Sequence, residues 1–159
     1  MSATIVIGRA LLNRIHADLD RPHAFAAERG GFLTCRSESD GSGWTIRSID
    51  YDPVPDVEYV NVPSVGAAVK GSAFRRFQMK AHSEPVSIFH IHRHDHHGTP
   101  RFSSVDRQEG HRFVPDFMTV RRELPHGIVV LSYDAAHALV WLPEDPHAAV
   151  VGEVALAFD

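Results

Sequence analysis

The chain has 159 residues, 43% of them hydrophobic and 23% charged, with a net charge of −4. This composition fits one folded domain spanning residues 1–159 and excludes a largely disordered chain, while the acidic balance argues against nucleic acid held on a basic face. A single cysteine, Cys35, excludes an internal disulfide and a cysteine-built zinc site. No window holds the ~18 apolar residues of a membrane helix. Arg9 and Arg14 interrupt the N-terminal segment where a signal peptide would stay apolar. The expected setting is therefore the cytoplasm, with no membrane partner.

Residues 3–7 (ATIVI) form a β-branched apolar run and predict a strand. Leu11, Leu12, Ile15 and Leu19 then recur at helical spacing, with Pro22 beyond the end. The runs 31–37 and 44–52 flank the turn-rich ESDGSG and predict a hairpin. A further strand is expected over 57–63 and a helix over 64–82, weakened by Gly71. PVSIFHIH (85–92) is a strong strand pattern, and a helix is expected near 104–112. Strands over 127–133, 137–142 and 150–158 close the chain. Runs of strands mixed with two or three helices predict an α+β domain, a mixed β-sheet flanked by helices. Cys35, Trp44 and Trp141 read as packing residues.

The stretch HIHRHDHHGTPRFSSVD, His90 to Asp106, carries the chemistry. In a strand, alternate side chains share a face, so His90 and His92 point the same way and Phe89 and Ile91 the other. Two imidazoles at the end of an apolar strand cost roughly 1–3 kcal/mol each unless partnered. A shared divalent ion removes that cost, since neutral imidazole is a good ligand for such ions. His94 lies on the same face, so a His92/His94 pair competes with His90/His92. Asp106 is the best third ligand: Ser103 has the character of a helix N-cap, which puts Asp106 in the first helical turn. Two histidines and a carboxylate leave positive charge on an ion, and a water bound to it then ionises more readily. Glu28, just before Gly30 and Gly31, is a candidate base, with Glu84 and Glu109 as rivals. His96, His97 and Asp95 read as a solvated loop or a rim facing substrate, and with His94 they form the candidate substrate-binding loop.

Taken in order, Glu28-Arg-Gly-Gly31-Phe-Leu33, then His90-Ile-His92, then Ser103-Ser-Val-Asp106 resembles the JAMM signature of the JAB/MPN metalloproteases, E-x-x-G-x-L, H-x-H, S-x-x-D. The resemblance covers essentially the whole chain, although only the four-part motif is specific. It implies the cytidine-deaminase-like MPN fold and one Zn2+ per chain, held by His90, His92 and Asp106. It further implies Glu28 as general base and Ser103 as hydrogen-bond donor to the reacting carbonyl oxygen. The family usually places Pro after the second His, where this chain has Arg93. The spacer from His92 to Ser103 is also ten residues, about three longer than the common form.

The small size resembles the bacterial, deubiquitinase-like members. The implied reaction is hydrolysis of the amide after the C-terminus of a ubiquitin-like protein, in conjugate or precursor. Implied partners are that protein and E1/E2-like enzymes encoded beside it. The loop 93–102 and the segment 52–63 are the expected walls of a groove that takes the extended tail by β-addition. Two other readings share these residues: a hydrolase releasing an amino acid or peptide from a sulfur-carrier-like protein, and a non-catalytic MPN scaffold.

Overall fold

The computed structural model describes residues 1–22, 28–60 and 69–157. In chain order the elements are β1 (Ser2–Gly8), α1 (Arg9–Leu19), β2 (Gly30–Ser39), β3 (Gly43–Pro53), a 3-10 turn (Asp56–Glu58), α2 (Gly71–Ser83), β4 (Ser87–Arg93), α3 (Ser104–Val120), β5 (His126–Leu131), β6 (Ala136–Leu142) and β7 (Asp145–Ala157). The strands close into a seven-stranded mixed barrel in the order β1-β3-β2-β4-β5-β6-β7.

This corrects the expected fold. The helix-flanked α+β sheet of the cytidine-deaminase-like MPN kind is not what forms; the structure is a closed barrel, strand-rich, with three α-helices among the described residues. The cause lies in β7, which begins at Asp145, well before the expected 150. Its first part pairs antiparallel with β6 as far as Gly152, and from Glu153 onward it pairs in parallel with β1. Gly152 sits at this corner, where a Cβ would come within 2.8 Å of Val140. A strand long enough to change partners seals the barrel at β1, which also pairs in parallel with β3.

Alternation along the strands sorts side chains into the interior and the outer face. Ile5 and Ile7 of β1, Leu33 and Cys35 of β2, Phe89 and Ile91 of β4 and Val129 of β5 share one core with Leu12, Ile15 and Leu19 of α1. Phe32 and Ile88, one pleat over, pack instead under Phe74, Phe77 and Ala81 of α2. Trp141, Ile128 and Leu139 meet Val114 and Met118 of α3. His90 and His92 have the parity of Ile88, so the outer face that α2 and α3 cover is the one that carries the imidazoles. Cys35 is a buried free thiol whose pKa burial pushes up to about 12, consistent with packing. Trp141 is fully buried, and the half-buried Trp44 donates from Nε1 to Glu144 at 3.0 Å.

Three elements differ from the sequence pattern. Residues 56–58 form a 3-10 turn where a strand was expected, and beyond them only the Tyr59–Val69 bridge is strand-like. The remainder of that expected strand and the expected helix start, residues 61–68, lie outside the described residues. The helix itself runs Gly71–Ser83, so Gly71 is its first residue and weakens nothing. The third helix runs on to Val120 through Pro115. An internal proline costs about 3 kcal/mol. Burying Val114, Phe117 and Met118 returns roughly 1.5–3 kcal/mol each. No helix among the described residues is long and apolar enough to cross a membrane.

His126 ties β5 to its neighbours and makes stability depend on pH. Its Nδ1 accepts from the Ile88 N–H at 3.0 Å, and its Nε2 donates to the Arg121 carbonyl at 2.9 Å, which requires the neutral ring. Burial lowers its pKa to about 4. The folded value lies below the unfolded one near 6.5, so this contribution is present above 6.5 and fades as pH falls toward 4. Denaturant unfolding of the metal-free chain should lose about 2 kcal/mol through this group between pH 7 and pH 5. The H126N variant should unfold with a shallower pH slope; an unchanged slope would contradict the assignment.

Candidate metal centre

Three side chains from two elements converge at the C-terminal end of β4. His92 lies in the strand and His94 just beyond it, on the same side of the chain. Asp106 comes from the first turn of α3, and that turn is built by a reciprocal cap. The Ser103 Oγ accepts from the Asp106 N–H at 3.1 Å, while the Ser103 N–H donates to Asp106 Oδ2 at 2.8 Å. The cap fixes the Asp106 carboxylate as well as the helix start, so one motif serves both purposes.

The three side chains form a tight triangle. His92 Nε2 lies 3.1 Å from Asp106 Oδ1, His94 Nε2 lies 3.3 Å from Asp106 Oδ2, and the two Nε2 atoms are 3.3 Å apart. A tetrahedral ion with ligand bonds of about 2.0–2.1 Å holds its ligand atoms about 3.3–3.4 Å apart. Each of these separations is close to that spacing, with the two imidazoles facing different oxygens of the one carboxylate.

Glu28 faces this triangle from the other side. Its Oε2 is 3.9 Å from His92 Nε2 and its Oε1 is 3.8 Å from His94 Nε2, farther than the ligand atoms are from one another. Side-chain exposure rises from 6% at His92 through 14% at Asp106 to 21% at His94 and 25% at Glu28, so His92 is the deepest of the four and His94 and Glu28 lie toward the cleft mouth. Burial raises the Glu28 carboxyl above its usual range; Asp106 and Asp95 add to this and the two imidazoles oppose it. Burial also works against ionisation of Asp106, but the hydrogen bond and charge of His92, with the cap from Ser103, outweigh it and hold this carboxyl well below the usual range.

The backbone under Glu28 is tightly packed. Gly30 N–H donates to the Tyr59 hydroxyl at 2.8 Å, and that hydroxyl donates back to the Gly30 carbonyl at 3.1 Å. A Cβ on Gly31 would overlap the Tyr51 ring, so the second glycine is there for close approach.

His90 lies one pleat deeper, its ring 6.0 Å from that of His92. It packs against Phe32 and Phe74, and its Nε2 is buried with no hydrogen-bond partner among the described residues. Burial, aided by His92 and opposed by Asp106, lowers its pKa to about 3, so the ring is neutral. Of the residues picked out in the sequence, the fold therefore gathers Glu28, His92, Asp106 and Ser103, and the imidazole that completes the triangle is that of His94, while His90 stays below. The available signal was strand parity, which leaves His92/His94 open as a competing pair.

No family model and no curated protein matches the chain.

The centre opens into a cleft of about 700 Å³. Its apolar walls include Val60, Val69, Phe74, Val105, Phe113 and Ile128, from the segment before α2, from α2 and α3, and from β5. Of the expected groove walls, Val60 and His94 line it. His96 and His97 turn elsewhere: His97 Nδ1 reaches Asp134 at 3.4 Å, and His96 Nδ1 meets the His97 carbonyl at 2.8 Å. Of the rival bases, Glu109 lines the cleft and Glu84 is exposed at the end of α2.

Proposed function

We propose that this chain is a zinc-dependent hydrolase of the amide bond that follows the C-terminus of a ubiquitin-like protein, acting by JAMM-type chemistry in a cytoplasmic conjugation system. The observation that carries the reading is the triangle of His92, His94 and Asp106 with Glu28 set back behind it. Two imidazole nitrogens and one carboxylate oxygen are a donor set that suits zinc. They leave room for a further ligand, which distinguishes catalytic from structural sites. When bound there, zinc would polarise the substrate carbonyl and favour ionisation of water near neutral pH.

The chain's own residues supply the remainder. Glu28 takes the proton of the attacking water and returns it to the leaving amine. The Ser103 hydroxyl, which accepts the Asp106 N–H at the cleft wall, would donate its O–H to the carbonyl oxygen as negative charge develops there. The apolar cleft suits an extended peptide tail better than a charged small molecule. Recognition would involve the ubiquitin-like protein and, upstream, E1/E2-like enzymes that make the conjugate.

The test is cleavage of ubiquitin-like precursors and lysine-linked conjugates by the purified chain, with and without chelator and after zinc is restored. Chelator-sensitive release of the intact ubiquitin-like protein is expected. Cleavage confined to short peptides or to a sulfur-carrier-like protein's last residue would move the substrate class. A chain that takes up no zinc would leave only a binding role.

A further inference from the structure

Two arginines next to the candidate centre are buried, with only 6% of each exposed. Arg29 follows Glu28 directly. Arg93 lies between His92 and His94, on the opposite pleat. Burying a guanidinium is costly unless its donors are met, and here they are. Arg29 donates from Nε and Nη2 to the carbonyls of Arg21 at 3.0 Å and Pro22 at 2.7 Å, and from Nη1 to Asp56 at 2.8 Å. Arg93 donates from Nη2 to Asp20 at 2.6 Å, from Nη1 to His16 Nδ1 at 3.0 Å and from Nε to Asp95 at 3.1 Å, and its guanidinium lies 4.9 Å over the Tyr133 ring.

Both forks close on the same piece of chain, the last turn of α1 and the residues just after it, His16 to Pro22. We propose that this turn is a shared anchor, and that Arg29 and Arg93 are positioning residues that set Glu28 and His94 in register with each other. The inference rests on the reading of His92, His94 and Asp106 as metal ligands.

The need for such an anchor follows from where the two groups sit. His94 is one residue past the end of β4, so the sheet alone does not place its ring. Its own N–H is held by the Leu131 carbonyl at 2.8 Å, and Arg93 pins Asp95 on its far side. Glu28 precedes β2 by two residues and depends in the same way on Arg29. A lysine has no planar fork with which to span such partners, so R93K and R29K should behave nearly as the alanine variants do.

The experiment uses the full chain with R93A and R29A. In metal-free protein, histidine ring NMR should show the His92 and His94 signals shifted and broadened in R93A, with the buried His126 unmoved. Cobalt titration should show R93A binding about 10–100-fold more weakly, the usual cost of losing a group that orients a ligand. R29A should bind cobalt as wild type does and lose kcat with KM unchanged, because only the base is displaced. Should R93A fail to fold, D20A removes the same acceptor from the exposed side and should move the same ring signals. Unmoved His94 signals in these variants, or an equal loss of cobalt affinity in R29A and R93A, overturn the proposal. A wild-type chain that binds no cobalt removes the ligand reading by itself, and the ring signals still decide whether Arg93 positions His94.

Discussion

Replacing Glu28 with Gln is expected to leave metal uptake intact and to slow amide hydrolysis by about 10²–10⁴-fold, the usual contribution of a general base. The separation of roles rests on distance. His92 Nε2 and His94 Nε2 stand 3.3 Å apart and 3.1 and 3.3 Å from the two oxygens of Asp106, whereas the Glu28 oxygens stay 3.8–3.9 Å from the two imidazoles. A glutamine keeps the shape of the side chain and removes its ability to take a proton. Zinc content and single-turnover cleavage of a ubiquitin-like fusion, measured on the same preparation, check both halves. Zinc-loaded E28Q that cleaves at the wild-type rate would remove Glu28 from the mechanism. Loss of zinc in E28Q would make Glu28 a fourth ligand instead.

Local chemistry was legible in the sequence to the extent that it depended on short-range rules. The Ser103 cap and the Asp106 that follows it obey helix-start preferences, and they form the cap those preferences require. The parity of β4 correctly grouped His90, His92 and His94 on one side. Parity does not say where along the strand the partner carboxylate arrives, because that depends on how α3 packs on β5 and β6, a contact between residues distant in sequence. Ile128 and Trp141 set the seat of α3 under Val114 and Met118, and so bring Asp106 opposite His92 and His94, leaving His90 deeper. Barrel closure was illegible for a similar reason. The VVGEVALAF pattern marks a strand, but its change of partner at Gly152 is a property of the whole sheet. The 3-10 turn at Asp56–Glu58 shows the opposite failure: apolar alternation at Val57 and Tyr59 suggests a strand, yet Val57 is exposed and Tyr59 is drawn inward to Gly30. The tertiary hydrogen bond decided the backbone there.

The choice between the two histidine pairs yields the other large effect. H94N should weaken zinc binding by well over the ~10–100-fold that follows loss of an outer partner, because a ligand itself is lost, and cleavage should go with it. H90L should bind zinc as the wild type does. The His90 ring sits among Phe32 and Phe74 with a buried Nε2 that has no partner among the described residues, and a polar atom left in that state costs about 1–3 kcal/mol. Leucine has a similar volume and no such atom, so H90L should unfold at higher denaturant than the wild type. Zinc titration and denaturant unfolding of the two variants decide the matter. Were H90L to lose zinc while H94N kept it, the pair would be His90 and His92, and β4 would have to present its imidazoles to the ion one pleat deeper than the triangle beside Asp106.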